Sequence, residues 1–421
     1  MVVVATAPTT KRASSPFFKE LIIVFRAILQ LLLLFFSITG LFLSIWIITT
    51  APAFPLYPLS VGAPELSPGL LLVNGAIALL ALLIWHYQHK WLALVILGMS
   101  VVAALLSTLP LLQLPATNQR FAAEMARSLG VQPQTIQLAN GRLQPFSWQT
   151  FFTGIPLSPV RYDADIQFAA PDGMPLKLDL YRPVQAGQHP TVVMIHGGAW
   201  QRGGSRDNAS VSRYLAGQGY TVAAITYRFA PRYPFPAQIE DVRSALEFIR
   251  QNAAKFEIDL NRMAVMGRSA GAHLAMLAAY PTKPPSNEPS FRAVVNYYGP
   301  VDLTKGYFDP PNPDPIDSKK TLKAFLGGTP DQFPALYQTA SPINFVRPKL
   351  PPTLLIYGGR DHIVQAKFGR YLSEKLRTAD NIVTFLEIPW AEHAFDAVPN
   401  GISNQIALYY TERFLAWAMR N

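Results

Sequence analysis

Hydrophobic residues form long unbroken runs in the first third of the chain and only short runs later. Residues 27–49 contain no charged side chain, and a helix needs about 20 apolar residues to cross a hydrocarbon core. Further apolar runs cover residues 70–87 and 91–114. No polar face recurs at helical period in these runs, which argues against a buried bundle in a water-soluble protein. The pattern predicts an all-α membrane region of about three transmembrane helices within residues 27–115.

Basic residues beside the first apolar run set its predicted orientation. The four that precede it are Lys11, Arg12, Lys19 and Arg26. Residues 51–69 contain no Lys or Arg, so the N-terminal tail, residues 1–26, is expected in the cytoplasm. Three crossings then place the rest of the chain on the extracytoplasmic face, which is the periplasm if the source is a bacterium. If the run at 70–87 only enters the bilayer, the side reverses.

Residues 116–150 form a predicted amphipathic linker. Phe121, Met125 and Leu129 recur at four-residue spacing among charged residues, and Gly130 follows them as a helix end. Such a helix serves equally well to lie on a membrane surface or to pack on the rest of the protein. Both interpretations stay open at this point.

Short β-rich runs alternate with helical stretches from residue 151 to the end of the chain. The strands are expected at 176–181, 191–195, 221–227, 262–266, 293–298, 353–357 and 382–388, with helices at 239–256, 270–280 and 367–377. This alternation predicts an α/β fold with a mostly parallel sheet and helices on both faces. Ligands of such sheets bind at the carboxyl ends of the strands.

Composition limits the partners and the chemistry. Half of the 421 residues are hydrophobic and only 15% are charged, which agrees with a region in lipid. The net charge of +10 comes from scattered basic residues without a basic run, so no nucleic-acid partner is expected. The absence of cysteine excludes disulfides, thiolate metal sites and cysteine catalysis. No cofactor or metal ion is predicted.

The segment 267–271 reads Gly-Arg-Ser-Ala-Gly, a G-x-S-x-G pattern. It lies between a predicted strand and a predicted helix, which is the setting of a nucleophile elbow. Gly267 and Gly271 are expected where backbone segments approach closely, while Ser269 adopts a strained conformation that exposes its hydroxyl. We predict Ser269 as a catalytic nucleophile. The alternative is a glycine-rich turn with a solvated serine.

A serine hydroxyl needs an adjacent base, normally histidine, and the chain has seven. Four are excluded because they lie in the membrane region or precede the nucleophile, whereas the expected chain order is Ser, acid, His. The excluded four are His86, His89, His189 and His196. His273 falls inside the helix behind Ser269, and His362 adjoins the best acid candidate. His393, just after the last strand, is therefore the predicted base.

The acid must hold the imidazole in one tautomer and stabilise its cationic form. Asp361 follows the strand 353–357 through a Gly-Gly-Arg turn, again at a carboxyl end, and is the predicted acid. A salt bridge to Arg360 is the alternative role. Glu392 and Asp396 are closer to His393 in sequence, but such near neighbours do not easily reach the far ring nitrogen.

The reaction also requires hydrogen-bond donors for an oxyanion. Segment 196–200, His-Gly-Gly-Ala-Trp, leaves the strand that ends at Ile195. We predict an oxyanion hole from the backbone N–H groups of Gly197, Gly198 and Ala270. A generic turn is the alternative.

Together these segments resemble the hormone-sensitive-lipase-like α/β-hydrolases, and more closely the bacterial carboxylesterase branch that includes acetyl-xylan and feruloyl esterases. The resemblance covers residues 162–421 and also rests on Tyr-Arg-Phe-Ala-Pro at 227–231, Pro-Phe-Pro-Ala at 234–237 and the stretch 325–343. It implies the α/β-hydrolase fold with Ser269, Asp361 and His393 as the triad. The sequence departs from the pattern at Ala199 and Ala272, where many relatives have glycine.

The resemblance implies a carboxylesterase or lipase-like hydrolase that acts on a small-molecule or lipid ester through an acyl-enzyme, and the apolar runs, which lie outside the resemblance, predict that it is membrane-anchored. The stretch 302–346 is expected to cover the site. A peptidase or an acyltransferase of the same fold, or a membrane protein that only binds a ligand, are the alternatives. Arg268 is expected to be exposed beside the nucleophile and to pair with a carboxylate rather than with an acidic substrate. Neither the oligomeric state nor the particular ester is predicted.

Overall fold

A computed structural model describes residues 16–88, 90–138, 141–280 and 290–420. Three residues named above lie outside the described residues: Lys11 and Arg12, which the sequence assigned to the cytoplasmic tail, and His89, which it assigned to the membrane region. Two units are present, the first built from the chain up to residue 48 and from 68–108, and the second from 49–67 and 109–421. Five helices precede the sheet: α1 (Pro16–Ile45), α2 (Tyr57–Glu65), α3 (Ser67–Gln88), α4 (Trp91–Leu129) and α5 (Trp148–Thr153).

The first unit contains most of the three long apolar helices, α1, α3 and α4. Each is long and apolar enough to cross a membrane, which agrees with the predicted number. Small and polar side chains join the helices: Asn74 Nδ2 donates to Ser44 Oγ over 3.1 Å, and Ser100 Oγ donates to Ser37 Oγ over 3.2 Å. Contacts of this kind replace the hydrophobic effect as the interaction between helices in lipid.

Residues 49–66, between α1 and α3, belong to the second unit. The sequence indicated only a connection without Lys or Arg here, but the structure has a short 3₁₀ turn at Phe54–Leu56 followed by α2. Pro58 lies in the first turn of α2, where a missing N–H costs nothing because that donor has no partner within the helix. We call residues 49–66 the interhelix segment.

Helix α4 continues without interruption past its apolar half, through Pro110 and Pro115, to Leu129. The predicted separate linker helix is thus the end of α4. Phe121, Met125 and Leu129 are buried in the core of the second unit, and Glu124 pairs with Arg377 at 2.6 Å. The amphipathic stretch therefore packs on the second unit, the choice that the sequence left open. The apolar face of the stretch is buried there.

One eight-stranded sheet organises the second unit, in the order β1-β2-β4-β3-β5-β6-β7-β8. The strands from β3 onward pair in parallel, whereas β2 pairs antiparallel with β1 and β4. Their bounds are β1 (Arg161–Ala169), β2 (Leu176–Arg182), β3 (His189–Ile195), β4 (Thr221–Ile225), β5 (Ile258–Arg268), β6 (Phe291–Tyr297), β7 (Thr353–Gly358) and β8 (Val383–Ile388). The predicted α/β class and the α/β-hydrolase fold are confirmed.

Helices follow most strands, as expected when parallel strands need crossover connections. They are α6 (Ala209–Gly217), α7 (Ala237–Gln251), α8 (Ala253–Phe256), α9 (Ala270–Ala279), α10 (Leu303–Phe308), α11 (Ser318–Leu326), α12 (Pro334–Thr339), α13 (Ala366–Thr378) and α14 (Ile402–Ala418). The single predicted helix at 239–256 is divided into α7 and α8. Helix α9 packs on β5 and β6, α13 packs on β7 and β8, and the central strands are buried as near-continuous apolar runs.

Strand β3 has β4 as its neighbour on one side and β5 on the other, so the order of the strands in the sheet reverses at β3. Parallel sheets open a crevice at such a reversal, beyond the carboxyl ends of the strands. The segment after β3 begins at His196 and the segment after β5 begins at Ser269. The fold therefore brings the two glycine-rich segments of the sequence to one place.

Candidate active site

Ser269 lies at the sharp turn between β5 and α9. Its φ of +51° is a strained value for a residue with a side chain, and its N–H donates to Tyr297 O over 2.9 Å. The glycines are required by close backbone approach: a Cβ on Gly271 would lie 2.2 Å from Ile195 O, and one on Gly267 would lie 2.3 Å from the Gly271 backbone. The elbow geometry expected from the sequence is thus present.

The structure brings Ser269, His393 and Asp361 into one line. His393 Nε2 lies 2.9 Å from Ser269 Oγ, and His393 Nδ1 lies 2.8 Å from Asp361 Oδ2. Asp361 follows β7 and His393 follows β8, so two neighbouring strand ends bring a carboxylate and an imidazole to the serine. With Nδ1–H donated to the carboxylate, Nε2 is left to accept the serine proton.

Asp361 is held by its backbone surroundings as well as by His393. Its Oδ1 accepts from the N–H groups of Ile363 and Val364 at 2.8 and 2.7 Å, which orients Oδ2 toward the imidazole. Burial raises the pKa of Asp361, while His393 and these two donors oppose the rise. A buried carboxylate with such donors is suited to stabilise a cationic imidazole.

The segment after β3 turns back against Ser269. A Cβ on Gly197 would lie 2.9 Å from Arg268 O and 3.4 Å from the Ser269 Cβ, so this backbone borders the serine directly. Gly198 has a φ of +113°, which disfavours any other residue. In the part of the chain that the structure describes, no group accepts a hydrogen bond from the Gly197 or Gly198 N–H. Ala270 is the first residue of α9, where N–H groups lack partners within the helix.

His196 supports this turn rather than the chemistry. Its Nδ1 lies 2.7 Å from Gly197 O, and its ring stacks on Tyr227 with 4.3 Å between centroids. The Tyr227 hydroxyl donates to His196 O over 3.1 Å. Burial lowers the pKa of His196, so the ring is neutral and its Nδ1–H is free to donate to Gly197 O. The stack and these hydrogen bonds fix the glycine backbone.

His273 is a structural residue, as its position in a helix suggested. Trp200 Nε1 donates to His273 Nδ1 over 3.2 Å, and His273 Nε2 lies 2.6 Å from Ala340 O. Burial lowers the pKa of His273 to about 4, which keeps the ring neutral and matches one donor and one acceptor nitrogen. Trp200 in turn stacks on Phe325 at 4.0 Å between centroids.

The expectation that Arg268 is exposed is wrong, since only 6% of its surface is accessible. The expectation that it pairs with a carboxylate is met by Asp396, which also accepts from the Tyr298 hydroxyl. The Arg268 guanidinium also lies over the Tyr297 ring. This buried pair links the residue before Ser269 to the loop after β8, in which Asp396 follows His393.

A second hydrogen-bonded group behind His393 was not foreseen. Glu392 Oε1 lies 2.7 Å from His362 Nδ1, and Glu392 Oε2 accepts from the Tyr57 hydroxyl over 3.1 Å. Thr50 Oγ1 lies 3.2 Å from His362 Nε2. The only sequence signal was a carboxyl residue and a histidine, each adjacent to a predicted triad member. Nothing in the sequence indicated that their partners come from the interhelix segment.

A cavity of about 630 Å³ opens at Ser269 and His393. Residues of the stretch 302–346 line one side of it, as expected, and residues of the interhelix segment line another. Apolar side chains predominate, among them Phe54, Val61, Leu303, Ile316, Leu322, Val364 and Phe368. Within the described ranges no group of three or more His, Asp or Glu side chains is arranged to hold a metal ion.

Comparison with known proteins identifies the family of this chain. The family model BD-FAE matches residues 178–376. Carboxylesterase NlhH of Mycobacterium tuberculosis is 30% identical over 220 residues, which cover 51% of this chain and 68% of NlhH. The chain belongs to the α/β-hydrolase esterases. The resemblance stated from the sequence motifs is thereby confirmed.

Two further matches show how much of the chain resembles known proteins. Esterase LipQ of the same organism is 32% identical over 268 residues, and the match spans 60% of this chain and 62% of LipQ. A bifunctional GH43-CE protein of Bacteroides eggerthii, a solved structure, is 27% identical with a TM-score of 0.50 and covers 60% of this chain and 38% of that one. The BD-FAE match includes Ser269 and Asp361 and ends before His393.

Proposed function

We propose that this α/β-hydrolase is a membrane-anchored carboxylic ester hydrolase with Ser269 as nucleophile, His393 as general base and Asp361 as its orienting acid. The observation that carries the proposal is the line from Ser269 Oγ to His393 Nε2 at 2.9 Å and from His393 Nδ1 to Asp361 Oδ2 at 2.8 Å. The line opens on an apolar cavity, and hydrogen-bond reach between nucleophile and base is the geometric requirement for such catalysis.

In the first half of the reaction, Ser269 Oγ attacks the ester carbonyl while His393 Nε2 takes the hydroxyl proton. The carbonyl oxygen gains negative charge, and the N–H groups of Gly197, Gly198 and Ala270 are the donors that we assign to it. Each donor of this kind contributes about 3–4 kcal/mol in the transition state. Collapse breaks the ester C–O bond, His393 returns the proton to the leaving alcohol, and the acyl group remains on Ser269.

In the second half, water replaces the alcohol. His393 takes a proton from the water, the hydroxide adds to the acyl carbon, and collapse releases the carboxylic acid with the proton returned to Ser269. Asp361 stays ionised throughout and stabilises the imidazolium that forms twice. Every group in this cycle belongs to the second unit.

We also propose that the chain crosses the membrane three times and exposes the catalytic unit on the extracytoplasmic side. The interhelix segment and the chain after α4 fold together in the second unit, so they lie on the same side of a membrane. This requires that α3 and α4 either both cross or both fail to cross, and we propose that both cross because each is long and apolar enough to do so. The basic residues before α1 favour a cytoplasmic N-terminus, which leaves the second unit outside.

The nucleophile is tested by labelling the full chain in membranes with a fluorophosphonate and by hydrolysis of p-nitrophenyl esters. Ser269→Ala should lose both the label and the activity. Ser244→Ala, which changes an exposed serine of α7, serves as the matched control and should keep both. Full activity of Ser269→Ala would refute the assignment, and an unlabelled, inactive wild type would favour a ligand-binding role.

The sidedness is tested with a membrane-impermeant fluorophosphonate. Labelling of Ser269 should occur on spheroplasts without permeabilisation of the inner membrane. Labelling that requires permeabilisation would place the catalytic unit in the cytoplasm. As a control, an intracellular serine hydrolase of the host should remain unlabelled as long as the inner membrane is intact.

A further inference from the structure

The interhelix segment is attached to the loops that carry the catalytic acid and base. Tyr57 donates to Glu392, the residue before His393, and Thr50 meets His362, the residue after Asp361. Near its other end, Glu65 Oε2 accepts from the Ser403 N–H over 2.7 Å at the start of α14. The segment is thus held at three points along its length.

The segment also forms a wall of the cavity above Ser269. Phe54, Tyr57, Pro58, Val61 and Gly62 all line it. Tyr57 and Val61 are buried, whereas Phe54 is exposed, and the guanidinium of Arg202, which also lines the cavity, lies 5.5 Å from the centroid of its ring. None of the five lining residues carries a charge. The wall therefore suits a hydrocarbon part of a substrate better than a sugar or a charged group.

The position of this wall in the chain relates the cavity to the predicted membrane helices. Gly62 lies five residues before Ser67, where α3 begins. Five residues span at most about 18 Å even when fully extended. Leu56 and Leu66, on the same segment, are large apolar side chains that remain exposed in the described structure. An apolar molecule that leaves a bilayer at the start of α3 thus has only a short distance to the wall.

We infer that the interhelix segment selects the substrate, and that the preferred substrate is an ester with a long hydrocarbon chain that reaches Ser269 from the bilayer. The inference rests on the proposed function, since it concerns the same cavity. It goes further by assigning the choice of substrate to a segment outside the 178–376 match. The wall formed by Phe54, Val61 and Gly62 contacts the chain of the ester, while Tyr57 fixes the wall to Glu392.

Gly62 offers a direct test. It lies within α2 and lines the cavity, and a Cβ at this position meets no heavy atom within 4 Å beyond its own stretch of helix backbone, so the position has open space for a side chain. Gly62→Phe should lower the ratio of kcat/KM for p-nitrophenyl palmitate to that for p-nitrophenyl acetate at least about tenfold, a typical effect of altering an apolar pocket. Gly98→Phe, at a glycine of α4 with equal open space, should leave the ratio unchanged.

Rates should be normalised to the amount of Ser269 that a fluorophosphonate labels, so that loss of folded enzyme does not change the ratio. An unchanged ratio in Gly62→Phe, with label retained, would refute the selecting role while leaving the nucleophile intact. Absence of label and activity in the wild type would instead refute the proposed function. The two failures are therefore distinguishable.

The source of the substrate is tested in phosphatidylcholine vesicles that contain the full chain. 4-Methylumbelliferyl oleate should be hydrolysed several-fold faster when it is in the same vesicles as the protein than when it is supplied in protein-free vesicles. Equal initial rates in the two arrangements would refute uptake from the bilayer. 4-Methylumbelliferyl acetate, which dissolves in water, should show no difference between the arrangements.

Discussion

The hydroxyl of Tyr57 lies 3.1 Å from Glu392 Oε2 and donates a hydrogen bond to it. The two residues are 335 positions apart, one between two membrane-length helices and the other beside the histidine of the proposed triad. Glu392 also accepts from the backbone N–H of His362 over 3.1 Å. One carboxyl group thus links the interhelix segment, the acid loop after β7 and the base loop after β8.

Tyr57→Phe should lower kcat because it removes a donor that holds the His393 loop. Hydrogen bonds to charged groups contribute about 1.5–3 kcal/mol, so the unfolding temperature of the second unit should also fall by several degrees. Steady-state kinetics with a short ester measure kcat, and differential scanning calorimetry measures the unfolding temperature. Tyr87→Phe, in an exposed tyrosine at the end of α3, is the control. An unaltered kcat would mean that Glu392 holds the loop without Tyr57.

Asp361→Asn should reduce kcat by about 10⁴ while leaving labelling possible at high probe concentration. The amide cannot hold His393 in the tautomer that accepts the serine proton, which is the known effect of this change in serine triads. The KM for a short ester should change much less than kcat, because Asp361 contacts His393 rather than the substrate. A decrease of less than about tenfold would favour the alternative in which Asp361 is a structural residue.

Glu65 should make the second unit less stable as the pH rises. Burial raises the pKa of Glu65 from 4.5 to about 8, although Ser403 opposes the rise. Between these two pH values the folded state retains a proton that the unfolded chain has released. The contribution of Glu65 to the free energy of unfolding is therefore complete below about pH 4.5 and is lost as the pH rises to about 8. Glu65→Gln should flatten this dependence of the unfolding temperature. Glu374→Gln, at an exposed carboxylate of α13, should retain the wild-type slope.

Asp396→Asn should destabilise the second unit by about 3–5 kcal/mol, because it leaves the Arg268 guanidinium buried without its counter-charge. Replacing both partners, as Arg268→Met with Asp396→Leu, should recover much of that loss, since an apolar pair requires no desolvation of charge. Thermal unfolding of the single and double variants measures the difference. If the double variant is no more stable than Asp396→Asn, the loss of stability does not come from an unpaired Arg268 charge.

Local signals predicted most of the fold and the elements of the site. Strands β3 to β8 were predictable because each is a short apolar run that starts or ends at a turn signal, and Ser269 was recognisable from its glycines between a strand and a helix. His393 followed by elimination from its place after the last strand. The break between α7 and α8, the continuation of α4 through two prolines and the burial of Arg268 were not predictable, because each depends on what packs against the segment.

The sequence by itself determined the apolar helices, the α/β alternation and the order of Ser269, Asp361 and His393, because these depend on periodicity and on residue type at strand ends. Only the tertiary structure decided that α4 packs by Phe121 and Met125 on the second unit and that the interhelix segment lines the cavity. Contacts between residues more than three hundred positions apart, such as Thr50 with His362, leave no local pattern. They arise because parallel strand ends converge and present a common surface on which a distant segment folds.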